Sequence, residues 1–284
     1  MLIVITGPTG VGKTKLSIEL AKKYNGIVVN ADSMQVYKDL NIGTAKIKEE
    51  EKEKIPHLLF DIVSPTEMYT VYDYQKDLRK ILNDYKDRNI IIIGGTGLYI
   101  KAGLYDYEFK EEEKNNSFDK LSNDELYEKV KEKYPNTDVH INNRKRLVRL
   151  LNKENDSNNG NNLLYDVIFI GLTTDRDTLY ERINSRVDKM FEEGLLEEVK
   201  NLYDRKIYGK AISTGIGYKE LYDYFDGKIS LNEAKNLIKQ RSRHYAKRQY
   251  TWFNNQMRIN WFKVNFYDFD KTISEVEDFI DKNK

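Results

Sequence analysis

The sequence predicts an α/β fold: a parallel sheet flanked by helices, with an all-helical subdomain inserted into it. Three observations carry this. Four short runs (Leu2-Ile3-Val4-Ile5, Ile27-Val28-Val29-Asn30, Ile90-Ile91-Ile92-Ile93 and Val167-Ile168-Phe169-Ile170-Gly171) are apolar at almost every position, as strands buried on both faces are. Helical patterns lie between them, and the order strand, helix, strand is that of an α/β core. The stretch from 109 to 161 holds no convincing strand, yet the fourth run follows it, so that stretch interrupts the core.

Taken in order, residues 2–5 form the first strand and 13–24 the helix that follows a glycine loop. Residues 27–30 form the second strand and 71–88 a helix. The third strand, 90–93, ends at Gly94-Gly95. Within the insertion, 123–134 and 138–152 read as helices, and the Asn-rich stretch 152–162 as a polar loop. The fourth strand, 167–170, returns to the core; 175–205 is helical, and 172–284 as a whole is mostly helical and strongly charged. The expected division is therefore 1–108 for the first part of the core, 109–161 for the insertion, and 162–284 for the second part with its C-terminal helices.

The totals exclude several classes. The chain has 284 residues, 39% hydrophobic, enough for a substantial core. A net charge of +1 shows no global basicity, so any nucleic-acid site must be a local patch. The absence of cysteine excludes disulfides and thiolate metal sites and fits a reducing cytoplasm. The opening MLIVITG lacks a basic n-region and a cleavage site, so it reads as a core strand and not a signal peptide. No apolar run approaches the roughly 20 residues that span a membrane. His57, His140 and His244 are scattered, with no spacing suited to zinc.

The chemistry begins at GPTGVGKT, residues 7–14. Gly7, Pro8, Thr9, Gly10, Val11, Gly12, Lys13 and Thr14 have the Walker A spacing, between an expected strand and an expected helix, which makes the core P-loop NTPase-like. The loop's N–H groups and the helix N-terminus suit phosphate oxygens, Lys13 neutralises phosphate charge, and the Thr14 hydroxyl suits magnesium. Asp32 follows the second strand at the same sheet edge. There it holds magnesium through water, takes a proton from an acceptor, or merely caps a turn. Gly94-Gly95-Thr96-Gly97 follows the third strand, where glycines permit close approach of a ligand and Thr96 offers a hydroxyl.

Two stretches are basic and free of acid. Residues 141–153 carry Arg144, Lys145, Arg146, Arg149 and Lys153, with Leu147, Leu150 and Leu151 available to a core. Residues 239–258 carry Lys239, Arg241, Arg243, Lys247, Arg248 and Arg258, interleaved with Tyr245, Tyr250, Trp252 and Phe253. The bland reading of each charge is a solvated helix face. In a chain balanced at +1, the two patches as wholes favour nucleic acid or polyphosphate.

The P-loop, DSMQVYKDLNIGTAK (32–46), PHLLFDI (56–62), GGTGLYIKA (94–102), KRLVRLL (145–151), the run from Gly171 to Val199, GIGYKEL (215–221) and AKRQYTWF (246–253) occur in this order. Together they resemble the tRNA dimethylallyltransferases over almost the whole chain. The resemblance implies transfer of a dimethylallyl group from dimethylallyl diphosphate to N6 of adenosine 37 in tRNAs reading codons that begin with U. It implies that the P-loop holds the donor diphosphate with Mg2+, with Lys13, Thr14 and Arg243 stabilising the leaving group. Asp32 matches the base, and Thr96 the residue that helps orient it. Asp32, Ser33, Met34, Gln35 and Thr96 match one tRNA-contacting set. Further sets are Lys145, Arg146, Leu147, Val148 and Arg149; Gly217, Tyr218 and Lys219; and Lys247, Arg248, Gln249 and Trp252. The insertion would grip the tRNA anticodon stem-loop, with Lys114 and Lys120 as candidate contacts in its short first helix. A monomer in the cytoplasm, with no membrane partner, is expected.

This sequence departs from the family pattern at Thr214, where Gln is frequent, at Ile47, where Pro is usual, and at Leu150-Leu151-Asn152, where Ala-Leu-Glu is common. The other readings are an adenylate (cytokinin) isopentenyltransferase, which needs neither the insertion nor the basic patches; a P-loop small-molecule kinase, which would consume ATP; and a non-catalytic RNA-binding P-loop protein.

Overall fold

Six strands pair in the order β3-β2-β4-β1-β7-β8 in the computed structural model, which describes residues 1–109, 118, 120–152 and 159–284. They are β1 (Leu2–Thr6), β2 (Gly26–Asn30), β3 (His57–Leu58), β4 (Asn89–Ile93), β7 (Ile168–Thr173) and β8 (Asn260–Lys263). Every pairing in this sheet is parallel. β1 is central, with Ile3 opposite Ile91 on one side and Ile168 on the other, and all five of its residues are buried. That is the reason its sequence shows no polar alternation.

The helices of this unit are α1 (Lys13–Lys23), α2 (Val71–Asp84), α3 (Gly97–Leu104), α6 (Arg176–Glu192), α7 (Leu195–Asp204), α8 (Lys210–Thr214), α9 (Tyr218–Phe225), α10 (Leu231–Gln256) and α11 (Phe269–Asn283). Ile3, Ile5, Leu16, Leu20, Ile170, Ala246 and Val276 lie in one continuous core between sheet and helices. α2 and α10 each begin with a capping box, Thr70 with Asp73 and Ser230 with Glu233. No helix among the described residues is long and apolar enough to cross a membrane.

The chain divides into two compact units, residues 1–104 with 163–284, and residues 105–162. The second contains β5 (Tyr105–Tyr107), α4 (Asn123–Lys133), α5 (Arg144–Asn152) and most of β6 (Asn159–Leu163), which pairs with β5. Leu126, Val130, Val139 and Leu147 form its own small core. Arg144 is spent inside this unit, donating to the carbonyls of Phe118 and Leu121.

Several elements differ from the sequence reading. β6 begins at Asn159, where a polar loop is expected, because no apolar alternation marks it. β8 lies within the part read as mostly helical, and β3 is too short to show a period. The helical stretch 175–205 is two helices, α6 and α7, separated at Gly194, whose φ of +101° ends one and starts the next. The helix expected from 138 starts only at Arg144, and that expected to 88 stops at Asp84. Lys114, Lys153 and most of the Asn-rich loop lie outside the described residues.

Candidate active site

β1 delivers the chain to the phosphate loop. The Thr6 hydroxyl donates to the Gly94 carbonyl (3.1 Å), tying the end of β1 to the loop after β4. Gly7 has a φ of +130°, and a Cβ there would lie 2.4 Å from the Leu172 carbonyl oxygen, so only glycine fits. Lys13 opens α1, and its ammonium folds back to donate to the carbonyls of Gly7 (2.9 Å) and Pro8 (2.7 Å). Burial, helped by the neighbouring Arg186 charge and opposed by Asp32, brings its pKa down to about 7. Burial also lowers Arg186, again with Asp32 pulling the other way. Arg182, one turn earlier on α6, donates to the Gly10 carbonyl (2.9 Å) and stacks 3.8 Å from the centre of the Phe266 ring. Thr14 is exposed at the first turn of α1.

β2 delivers Asp32. Asn30, buried at the end of β2, donates to the carbonyls of Leu59 (2.9 Å) and Asp32 (3.0 Å) and accepts from the Asp32 N–H (2.8 Å). One Asp32 carboxylate oxygen accepts from the Met34 N–H (2.9 Å), the turn expected of an Asp-Ser pair. Its other oxygen has no hydrogen-bond partner among the described residues, and Asp32 lines the cleft. The turn role and the chemical role are thus both open to one residue, through different oxygens.

β4 delivers Thr96. Its Oγ accepts from the Ser33 N–H (3.0 Å) and donates to the Ser33 hydroxyl (3.2 Å), joining the second and third loops. From α10, the Gln249 amide donates to the Gly95 carbonyl (3.1 Å) and accepts from the Thr9 N–H (3.2 Å), joining the third loop to the first. The Tyr245 hydroxyl lies against Thr96 and Gln249, and burial raises its pKa above that of a free phenol. A cavity of about 1110 Å3 opens among these groups, lined by Lys13, Thr14, Asp32, Ser33, Arg186 and Tyr245. Among the described residues no three His, Cys, Asp or Glu side chains cluster as metal ligands do.

The sequence-predicted residues fall into distinct places. Thr9, Gly10, Gly12, Lys13, Thr14, Asp32, Ser33, Met34, Gln35, Gly217, Tyr218, Arg248 and Gln249 line this cavity. Arg243 is not among the lining side chains; its guanidinium donates to Asn184 (2.6 Å) and lies 5.8 Å from the centre of the Tyr180 ring. Gln249 is 5% exposed and Tyr218 0% exposed, both engaged internally, while Lys219, Lys247 and Arg248 are exposed. Trp252 is half-buried against Gly97, where a Cβ would meet the indole at 2.0 Å. In the second unit, Lys145, Arg146 and Arg149 are exposed on α5, Val148 is half-buried and Leu147 is in the core. Arg182, Arg186 and Tyr245 were not singled out as site residues in the sequence. The spacing of four between the two arginines on one helix is the signal that pairs them.

A family model described as IPP transferase matches residues 35–256. The chain belongs to the IPP transferase family. Among similar proteins, a tRNA dimethylallyltransferase of Anoxybacillus flavithermus is 46% identical, over 99% of this chain and 96% of the relative. That of Geobacillus thermodenitrificans is 44% identical, over 98% and 94%. The crystal structure of a full-length tRNA isopentenylpyrophosphate transferase from Bacillus halodurans superposes with a TM-score of 0.78 at 41% identity, covering 99% of this chain and 96% of that one. A eukaryotic dimethylallyltransferase, described as acting on tRNA, superposes with a TM-score of 0.82 at 29% identity, covering all of this chain and 80% of its own. Family membership thus spans both compact units, and the family match begins just after Asp32, inside the set of loops that forms the cavity.

Proposed function

We propose that this chain transfers a dimethylallyl group from dimethylallyl diphosphate to N6 of adenosine 37 in the anticodon loop of tRNA. The observation that carries this reading is one cavity with a phosphate loop on one wall and, on the other, an Asp32 carboxylate with an oxygen to spare. The P-loop holds the donor diphosphate. Its C–O bond breaks with the electron pair leaving on the diphosphate, a C–N bond forms to adenine N6, and the free Asp32 oxygen takes the N6 proton. Lys13 and Arg186 offset the growing charge on the leaving diphosphate. Arg243 joins them only by leaving Asn184. Thr96 fixes Ser33, and with it the turn that carries Asp32.

Mg2+ fits this donor set. Magnesium is commonly held by one or two protein oxygens together with phosphate oxygens and water, and Thr14 offers an exposed hydroxyl on the cavity wall. Thr14 would hold the ion, which would supply charge neutralisation at the diphosphate. The target adenine must leave its stack to enter this cavity. On the helical unit, the exposed Lys145, Arg146 and Arg149 would contact tRNA phosphates; on the larger unit, the exposed Lys219, Lys247 and Arg248 would do so as well.

The test is transfer of label. The protein is incubated with Mg2+, labelled dimethylallyl diphosphate, and either an anticodon stem-loop containing A36-A37-A38 or free AMP, without ATP. Label in the stem-loop alone supports the reading. Label in AMP moves the activity to free nucleotides, and label in neither, with ATP turnover in a separate incubation that contains it, gives the site to a kinase.

A further inference from the structure

Three stretches lie far apart in the sequence: Asn41 to Lys46, Gly194 to Val199, and Gly215 to Tyr218. In the structure they meet at one carboxylate. Glu198, on α7, accepts the N–H groups of Asn41 (3.0 Å) and Ile42 (2.7 Å) on one oxygen. Its other oxygen accepts the Gly43 N–H (3.1 Å) and the Tyr218 hydroxyl (2.7 Å). Three successive backbone N–H groups converging on an anion form a nest, and hydrogen bonds to an ionised acceptor are stronger than neutral ones. The anchor is itself fixed. Tyr218 is fully buried, with its ring where a Cβ at Gly43 would fall, 2.6 Å away. Glu220, two residues on, accepts the Gly217 N–H (2.7 Å) and pairs with Arg241 of α10.

The loop held in this way forms a wall of the cavity. It also reaches the Asp32 turn. The Gln35 amide donates to the carbonyls of Thr44 (3.0 Å) and Ala45 (3.4 Å), and the Gln35 N–H donates to the Asp32 carbonyl (3.2 Å). The contacts that shape the phosphate loop, from Lys13 to Gly7 and Pro8 and from Arg182 to Gly10, involve none of these residues.

We propose that Glu198 is a positioning residue for the transfer reaction, holding the 41–46 loop and, through Gln35, the turn that carries Asp32. This rests on the reading that Asp32 takes the acceptor's proton. Tyr218, which with Gly217 also lines the cavity, then braces the acceptor wall through Glu198. Loss of the anchor moves the acceptor side of the cavity and leaves the donor side in place.

The experiment uses the full chain as wild type, Glu198→Gln and Tyr218→Phe. Glu198→Gln keeps the shape and turns one acceptor oxygen into a donor group facing other donors. Tyr218→Phe removes one donor of four and keeps the ring under Gly43. Three quantities are read: deuterium exchange of peptides covering 38–48, binding of inorganic diphosphate by calorimetry, and kcat and KM for the stem-loop. In Glu198→Gln, exchange at 41–43 and kcat/KM for the stem-loop should each worsen by about tenfold, the scale of one lost charge-assisted bond, with diphosphate affinity within about twofold of wild type. Tyr218→Phe should move the same way by less. Unchanged exchange in both variants overturns the anchor. A parallel loss of diphosphate binding makes Glu198 a general structural residue and overturns its specific role. If the wild type labels no stem-loop, the transfer reading falls and this role falls with it; if all three label at one rate, only the role of Glu198 falls.

Discussion

Replacing Gly95 by Ala should wedge apart two of the loops that build the cavity, and the damage should be relieved by a second substitution. A Cβ on Gly95 would lie 2.0 Å from the Gln249 amide nitrogen, well inside any tolerable contact. Gln249 is 5% exposed, so its amide has no solvent to retreat into. Moving it breaks the bonds to the Gly95 carbonyl (3.1 Å) and from the Thr9 N–H (3.2 Å). Overpacking of a core costs about 1–3 kcal/mol, and each buried hydrogen bond lost adds about 1 kcal/mol, so Gly95→Ala should cost about 3 kcal/mol. Gln249→Ala leaves room but strands the Thr9 N–H and the Gly95 carbonyl, for about 2 kcal/mol. In the double variant the new methyl occupies space that Gln249 vacates, and the two partners are already lost. Its cost should be about 2 kcal/mol and not the additive 5, a coupling of about 3 kcal/mol. Urea unfolding of the four proteins measures the cycle. Additive penalties would show that Gln249 does not occupy the space beside Gly95, and the tie between the loops would be refuted.

Three further outcomes are expected. Donor affinity should depend on pH through Lys13, whose pKa is down to about 7. A bound diphosphate pulls it back up, so the advantage of wild type over Lys13→Met is full below pH 7 and shrinks up to about tenfold per unit above it. Parallel profiles in inorganic diphosphate calorimetry would discard this, and the ligand's own titration cancels in the ratio. Tyr74→Phe should be neutral or stabilising by about 1 kcal/mol in thermal unfolding, because the Tyr74 hydroxyl is buried without a hydrogen-bond partner among the described residues. A clear destabilisation would point to an acceptor or water at that hydroxyl. Removing Arg146 and Arg149 together should weaken stem-loop binding and reduce its log–log salt slope by about 1.4, from about 0.7 for each contact to a single strand. An unchanged slope would take α5 out of the RNA-binding surface.

The convergence of the loops on one cavity was legible in the sequence because it follows from topology. β2, β4 and β1 are neighbours in the sheet and parallel, so the segments that leave their carboxyl ends must meet. The P-loop, Asp32 and Thr96 each follow one of these strands immediately, which needs only the local sequence to see. The strands themselves were legible where burial on both faces left an unbroken apolar run. β3 has two residues, and β8 is an edge strand whose Asn260 and Lys263 are exposed, so neither carried that signal. Arg186 and Glu198 act on the site from helices far along the chain, where a lone charge in a charged helix looks like a solvated one. Only the path of the chain shows which of them turns inward.

The second basic patch shows what spacing adds to composition. Read as a string, 239–258 is one acid-free, aromatic-rich surface. On α10 it separates into faces. Tyr245, Gln249 and Trp252 stand four and three residues apart, hence on one side of the helix. That side is turned inward, with Tyr245 and Gln249 against Thr96, Gly95 and Thr9 and Trp252 over Gly97. Lys247 and Arg248, between them, are exposed. One helix therefore braces the loops of the cavity with its neutral polar and aromatic side chains and presents charge to solvent with its neighbours. Substitutions on the two faces should separate accordingly: losses at Gln249 or Trp252 act on the shape of the cavity, and losses at Lys247 or Arg248 act on the attraction of a polyanion to its mouth.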